Sequence, residues 1–151
     1  LAAAKVPVIL NPLENLPGNF DRIGARLDNA KLLQDAGVTI AFSLGGDAHN
    51  TRKVRQAAGN AVANGLTWSD ALRAITSNPA SMFGQGDNMG SVAKGQIADL
   101  VLWSGDPLEV TTVVENIWHA GKAVSLESRQ TRLRDRYLPR NPELPRHYLK
   151  P

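Results

Sequence analysis

The sequence predicts an α/β fold in two parts, and three observations carry that prediction. Two short apolar runs, VPVIL at residues 6–10 and VTIAFSL at residues 38–44, flank a helical stripe, which is the order of a parallel β-α-β unit. Further helical segments follow the second run up to Gly84. From Gly86 onward the pattern changes to brief β-rich runs broken by turns such as SGDP and HAGK, which reads as a small antiparallel unit.

The first run stops at Asn11-Pro12, as a buried strand should, because proline cannot continue the ladder. A long loop with Pro12, Pro17 and Gly18 as breakers follows, a candidate substrate loop. Leu27, Ala30, Leu32, Leu33 and Ala36 then mark a helix, and Gly37 stands where a left-handed C-terminal cap belongs. In the second run Val38, Ile40, Phe42 and Leu44 alternate around a small Ala41, the pattern of a buried strand. After GGDAHN, residues Val54, Ala57, Ala58, Ala61 and Val62 keep helical spacing up to Gly65. Thr67 and Asp70 resemble a capping box ahead of the buried stripe Ala71, Leu72 and Ile75, and Asn78-Pro79 starts one more short helix with proline at its favoured first position. Ile97, Leu100, Val101 and Leu102, then Val113, Val114, Ile117 and Val124, form the antiparallel strands.

The length of 151 residues suits one domain of ordinary size with a substantial core. The absence of cysteine excludes disulfides and thiolate metal sites, and it fits a cytoplasmic home while leaving the periplasm open. No apolar run approaches the roughly 20 residues of a membrane-spanning helix, and LAAAKVPVIL has a lysine in its middle, so no signal peptide, anchor or membrane partner is expected. Residues 129–151 hold 7 of the 17 basic and 2 of the 14 acidic residues, so this tail carries +5 and the body −2. It has few aromatics and many prolines, which favours a solvated tail or a helix on the body over a nucleic-acid site. Leu1 and the AAAKVPVIL that follows read as the end of a helix running into a strand, so the chain is expected to begin in the middle of a larger protein.

Parallel strands joined by a right-handed crossover end on the same side, where chemistry collects in α/β sheets and barrels. Asp47 follows the second strand there. Gly45 and Gly46 allow a sharp turn with room above it, and the Asp47 carboxylate suits a cation or a proton from water. The alternative of equal weight is that Asp47 or Asn50 caps a helix beginning near Thr51. His49 suits a ligand, a proton shuttle or simple solvation. Asn11, Glu14 and Asn15 end the first strand on the same side, where they suit a substrate amide or carboxylate as well as plain solvation. His119 and His147 stand elsewhere, so the three histidines make no metal pair. A phosphate cradle at GGDAHN is disfavoured by the aspartate, and neither GxGxxG nor GxxxxGK[ST] occurs.

Four segments, TIAFSLGGD, RKVRQAAGNAVANGL, TWSDALRAITSNPASMFG and above all GSVAKGQIADLVLWSGDPL, resemble the amidohydrolase superfamily over residues 6–125, in particular the C-terminal portion of its imidazolonepropionase-like and prolidase-like branch. The resemblance implies the last part of a metal-dependent-hydrolase TIM barrel over residues 1–85, β-sandwich strands over 86–128 and a basic tail over 129–151. It implies a hydrolase of C–N bonds in cyclic amides or dipeptide-like substrates, with one or two divalent ions, zinc in the first instance. Asp47 matches the family's aspartate after the last barrel strand, which contacts the metal, takes a proton from water and returns one to the leaving nitrogen. Asn11, Glu14, His49 and Asn50 are the substrate-binding candidates. Most metal ligands would lie outside this chain, so the isolated chain is expected to be inactive, with the N-terminal remainder of the same protein, a small-molecule substrate and a second copy as its partners. GGDAHN stands where the family more often has G-[ST]-D, and this keeps open a second reading, a binding or scaffold domain that has lost metal ligands.

Overall fold

A computed structural model describes residues 1–46 and 48–138. Strands β1 (Val8–Leu10) and β2 (Ile40–Phe42) pair in parallel, with Val8 opposite Ile40 and Leu10 opposite Phe42. The expected β-α-β order therefore holds. The connecting helix α1 (Asn29–Asp35) ends in a left-handed Gly37 at φ +77°, and Gly37 and Val38 donate to the carbonyls of Gln34 and Leu33 at 2.9 Å each. That pair of bonds satisfies the last helical carbonyls and turns the chain directly into β2. The stripe is narrower than its spacing suggests: Leu27 precedes the helix and Leu32 is exposed, so Ala30 and Leu33 make the contact with the core.

Three helices follow β2. The expected start near Thr51 is a 3-10 turn, Ala48–Lys53, and α2 (Val54–Ala63) begins after it. Asn50 therefore does not cap α2, whose cap position is Lys53 with no side-chain hydrogen bond. Ala57, Ala58 and Ala61 are buried, small enough to bring this helix close to the sheet. In α3 (Trp68–Ile75) the Thr67 hydroxyl accepts from the Asp70 N–H at 3.1 Å and donates to the Asp70 carboxylate at 2.6 Å, so Thr67 caps the helix while Asp70 bonds the Thr67 hydroxyl in place of the backbone N–H that a capping box uses. Helix α4 (Ser77–Met82) starts one residue before the Asn78-Pro79 expected to open it. Pro79 is its third residue, still among the first-turn positions whose N–H has no helical partner. Asn78 is thereby free to donate to the Ile40 carbonyl of β2 at 2.8 Å.

Strands β3 (Leu100–Trp103), β4 (Val114–His119) and β5 (Lys122–Val124) form an antiparallel sheet in that order. Ala120 and Gly121, at φ +48° and +77°, make the two-residue hairpin between β4 and β5. Non-glycine residues resist that conformation; here the Ala120 N–H donates to Asp99 Oδ1 at 2.7 Å and the Gly121 N–H to the Ala98 carbonyl at 2.9 Å. This sheet is separate from the parallel pair, but the connection between β3 and β4 reaches back to the helices and β2. Leu108 is buried in one core with Ile40, Phe42, Ala58, Ala61 and Ala74. Helix α5 (Arg129–Tyr137), capped reciprocally by Ser128 and Thr131, has no buried residue. Among the described residues no helix is long and apolar enough to cross a membrane.

Candidate active site at the parallel strand ends

Because β1 and β2 run in parallel, Asn11 and Ser43 leave the sheet on the same side. An open hollow of about 580 Å³ lies there, with Asn11, Glu14, Ser43, Gly45, Gly46 and Asn50 in its wall. Its floor is made by the strand ends, Ile9 and Leu10 on one side and Leu44 on the other.

Asn11 is fixed by both ends of its carboxamide. Its Oδ1 accepts from the Leu13 N–H at 3.1 Å, starting the 3-10 turn Pro12–Glu14, and its Nδ2 donates to the Leu44 carbonyl at 3.2 Å. One side chain thus ties the chain leaving β1 to the chain leaving β2. Glu14 is exposed and meets Arg22 Nη1 at 3.3 Å. It also borders a second hollow, of about 380 Å³, together with Asn15, Arg22 and Arg26. Arg26 forks onto Asp28 with two bonds of 2.8 Å, and this contact raises the guanidinium pKa and lowers that of the carboxyl. The Asn15 Nδ2 atom is buried without a hydrogen-bond partner among the described residues.

Gly45 and Gly46 both lie in the left-handed region, at φ +60° and +67°, and a Cβ on either would meet nothing within 4 Å. The backbone conformation, not crowding, requires glycine here, and the space above it is open. The Gly45 N–H donates to Ser43 Oγ at 3.3 Å. His49 and Asn50 follow on the 3-10 turn, His49 exposed and Asn50 half-buried on the wall. Asp47 and His147 lie outside the described residues. His119 ends β4 in the antiparallel sheet, its Nδ1 2.9 Å from Asp99 Oδ1.

The structure thus brings Asn11, Glu14 and Asn50 to one hollow. Sequence reasoning missed Ser43 and Arg22; the place of Ser43 just ahead of LGGD was a usable signal, whereas the Arg22 to Glu14 contact inside a loop had none. The wall offers amides that both donate and accept and one exposed carboxylate, a set suited to a small polar molecule with amide or carboxylate groups. Among the described residues no three of His, Cys, Asp and Glu come together as a metal site.

The sequence profile described as "Amidohydrolase family" matches residues 4–126. Amidohydrolase tasK of Hapsidospora irregularis is 32% identical over 93 residues, 62% of this chain and 10% of that protein. Among solved structures, an amidohydrolase from Thermotoga maritima MSB8 superposes with a TM-score of 0.75 at 31% identity, over 82% of this chain and 32% of its own. A prolidase complexed with N-methylphosphonate-L-proline superposes with a TM-score of 0.61 at 21% identity, over 82% of this chain and 36% of its own, a likeness of fold. The chain spans about a third of the length of these two structures and a tenth of the curated relative. With most of its residues matched, and with the parallel strand pair and its end hollow inside the matched region, the chain belongs to the amidohydrolase family.

Proposed function

We propose that the protein containing this chain is a metal-dependent hydrolase of C–N bonds, acting on cyclic amides or dipeptide-like substrates. The observation that carries the reading is the hollow at the shared end of β1 and β2, walled by Asn11, Glu14, Asn50 and the glycine pair immediately before Asp47. The prolidase among the similar folds supports the dipeptide-like substrate class. In this reading β1 and β2 are strands of a (β/α)8 barrel within residues 1–85, the antiparallel sheet is part of a β-sandwich within 86–128, and residues 129–151 are an appended basic tail.

The family is generally metal-dependent, and a divalent ion, zinc in the first instance, would polarise the scissile carbonyl when bound. Asp47 is the candidate ligand from this chain, and one carboxylate is too few to hold a catalytic ion, so the other ligands come from outside it. The Asp47 carboxylate takes a proton from the attacking water as the water oxygen bonds to the carbonyl carbon. It then delivers that proton to the nitrogen as the C–N bond breaks. Asn11, Glu14, His49 and Asn50 orient the substrate.

The test is the Asp47→Asn variant of the whole protein, assayed on dipeptides, N-acyl amino acids and cyclic amides. Turnover should fall about 100-fold or more with unfolding largely unchanged. His49→Ala should cost less. Near wild-type turnover in Asp47→Asn would remove the relay, and loss of activity in His49→Ala alone would reverse the two roles. A protein that turns over none of these substrates, with metal restored, would favour a binding domain.

A further inference from the structure

Arg55 stands in the first turn of α2, five residues after Asn50. Its Nη1 donates to the carbonyls of Pro107 and Glu109 at 3.1 and 2.7 Å, and its Nη2 to those of Thr112 and Val110 at 3.0 and 3.5 Å. The guanidinium also lies over the Trp103 ring, 4.8 Å from its centroid. Every acceptor is a backbone carbonyl of the β3 to β4 connection, so Arg55 grips the shape of that segment and not a charge on it. A planar fork on an aromatic face can do this; a lysine ammonium cannot span four carbonyls.

Two further contacts hold the same segment to the same helices. Gly59, one turn along α2, lies so close that an added Cβ would be 2.5 Å from the Leu108 carbonyl oxygen. Trp68 Nε1 of α3 meets the Asp106 carboxylate at 2.9 and 3.0 Å. Leu108 between them is buried. The first turn of α2 is therefore fastened to the β3 to β4 connection, while the turn that leads into it has no side-chain cap at its junction with the helix and follows two glycines in open space.

The geometry points to Arg55 as a positioning residue: by clamping the start of α2 to the β3 to β4 connection, it sets the placement of the turn bearing His49 and Asn50, and with it one wall of the strand-end hollow. The inference rests on reading that hollow as the hydrolytic site. It gives the SGDPL segment, far from the hollow in sequence, a role in the geometry of the site.

Hydrogen exchange and steady-state kinetics on the whole protein test this, with Arg55→Lys, Arg55→Ala and Gly59→Ala, the last disturbing the same clamp without touching Arg55. Amide exchange over residues 43–53 should rise about tenfold or more in each variant while residues 68–75 of α3 keep their protection. Well below the unfolding temperature, kcat/KM should fall about 10- to 100-fold, and Arg55→Lys should not rescue it. A rise in exchange spread evenly over the chain, or none over residues 43–53, would overturn the inference, as would full rescue by lysine. The exchange readout needs no substrate. A loosened 43–53 segment in a protein with no hydrolase activity would leave the clamp standing and remove the functional reading. Unchanged kcat/KM in variants of an active wild type would do the reverse.

Discussion

Strands β1 and β2 pair residue for residue, and their sequences, VIL and IAF, are equally apolar, yet they occupy different surroundings. Ile40, Ala41 and Phe42 are 0, 2 and 6% exposed, whereas Ile9 at the centre of β1 is 53% exposed. Helices α1 to α4 all follow or flank β2 and pack against it, and α4 adds the Asn78 bond to its backbone. β1 has β2 on one side and a loop after it. Within this chain β2 is buried by the helices placed on its faces, whereas β1 in the proposed barrel takes its further neighbours from outside the chain.

Five variants or conditions sharpen this contrast, each read as the shift in a urea or thermal unfolding curve. The largest effect belongs to Ile40→Ala, which opens a cavity in the core and should destabilise by about 2–5 kcal/mol. Next is Asn78→Ala, which takes a donor from a carbonyl of the buried strand and should cost about 1–3 kcal/mol. Asn11→Ala breaks the tie between the two strand ends at a partly exposed place and should cost about 1 kcal/mol.

Acid should act on the cover over β2. The Thr67 hydroxyl, followed by Arg73, holds the Asp70 carboxyl below its ordinary pKa despite the opposing effect of burial. Its contribution is full above the unfolded value of about 4 and is lost as the pH falls through the lowered folded value, so Asp70→Asn should flatten the acid limb of the stability curve. In this chain by itself the smallest effect belongs to Ile9→Ala, within about 0.5 kcal/mol, as for an exposed site. Equal losses in Ile9→Ala and Ile40→Ala would abolish the distinction between the strands.

What was legible in the sequence was local. Gly37, the Thr67 cap and the order of apolar runs are encoded within a few residues, and each is realised. The wall formed by Asn11, Glu14 and Asn50 followed from the rule that parallel strands end together, although the placement of Asp47 falls outside the described residues. Arg55 and Asn78 were not legible, because their acceptors are backbone carbonyls 38 to 57 residues away, and a carbonyl leaves no mark on residue type. The exposure of Ile9 was hidden for the same reason, since it depends on which helices reach β1. The late start of α2 was hidden because a 3-10 turn and the first turn of an α-helix present similar patterns to sequence reading.

The spacing of Arg55 and Gly59 also limits how α2 can change length. They stand four residues apart, so both face the β3 to β4 connection, one with a guanidinium and the other with bare backbone. One inserted residue between them would rotate one contact by about 100° away from the other, leaving either the fork without its carbonyls or a side chain where only hydrogen fits. Along this stretch the helix behaves as a key cut to a fixed pitch, open to substitution on its outer face but closed to insertion or deletion.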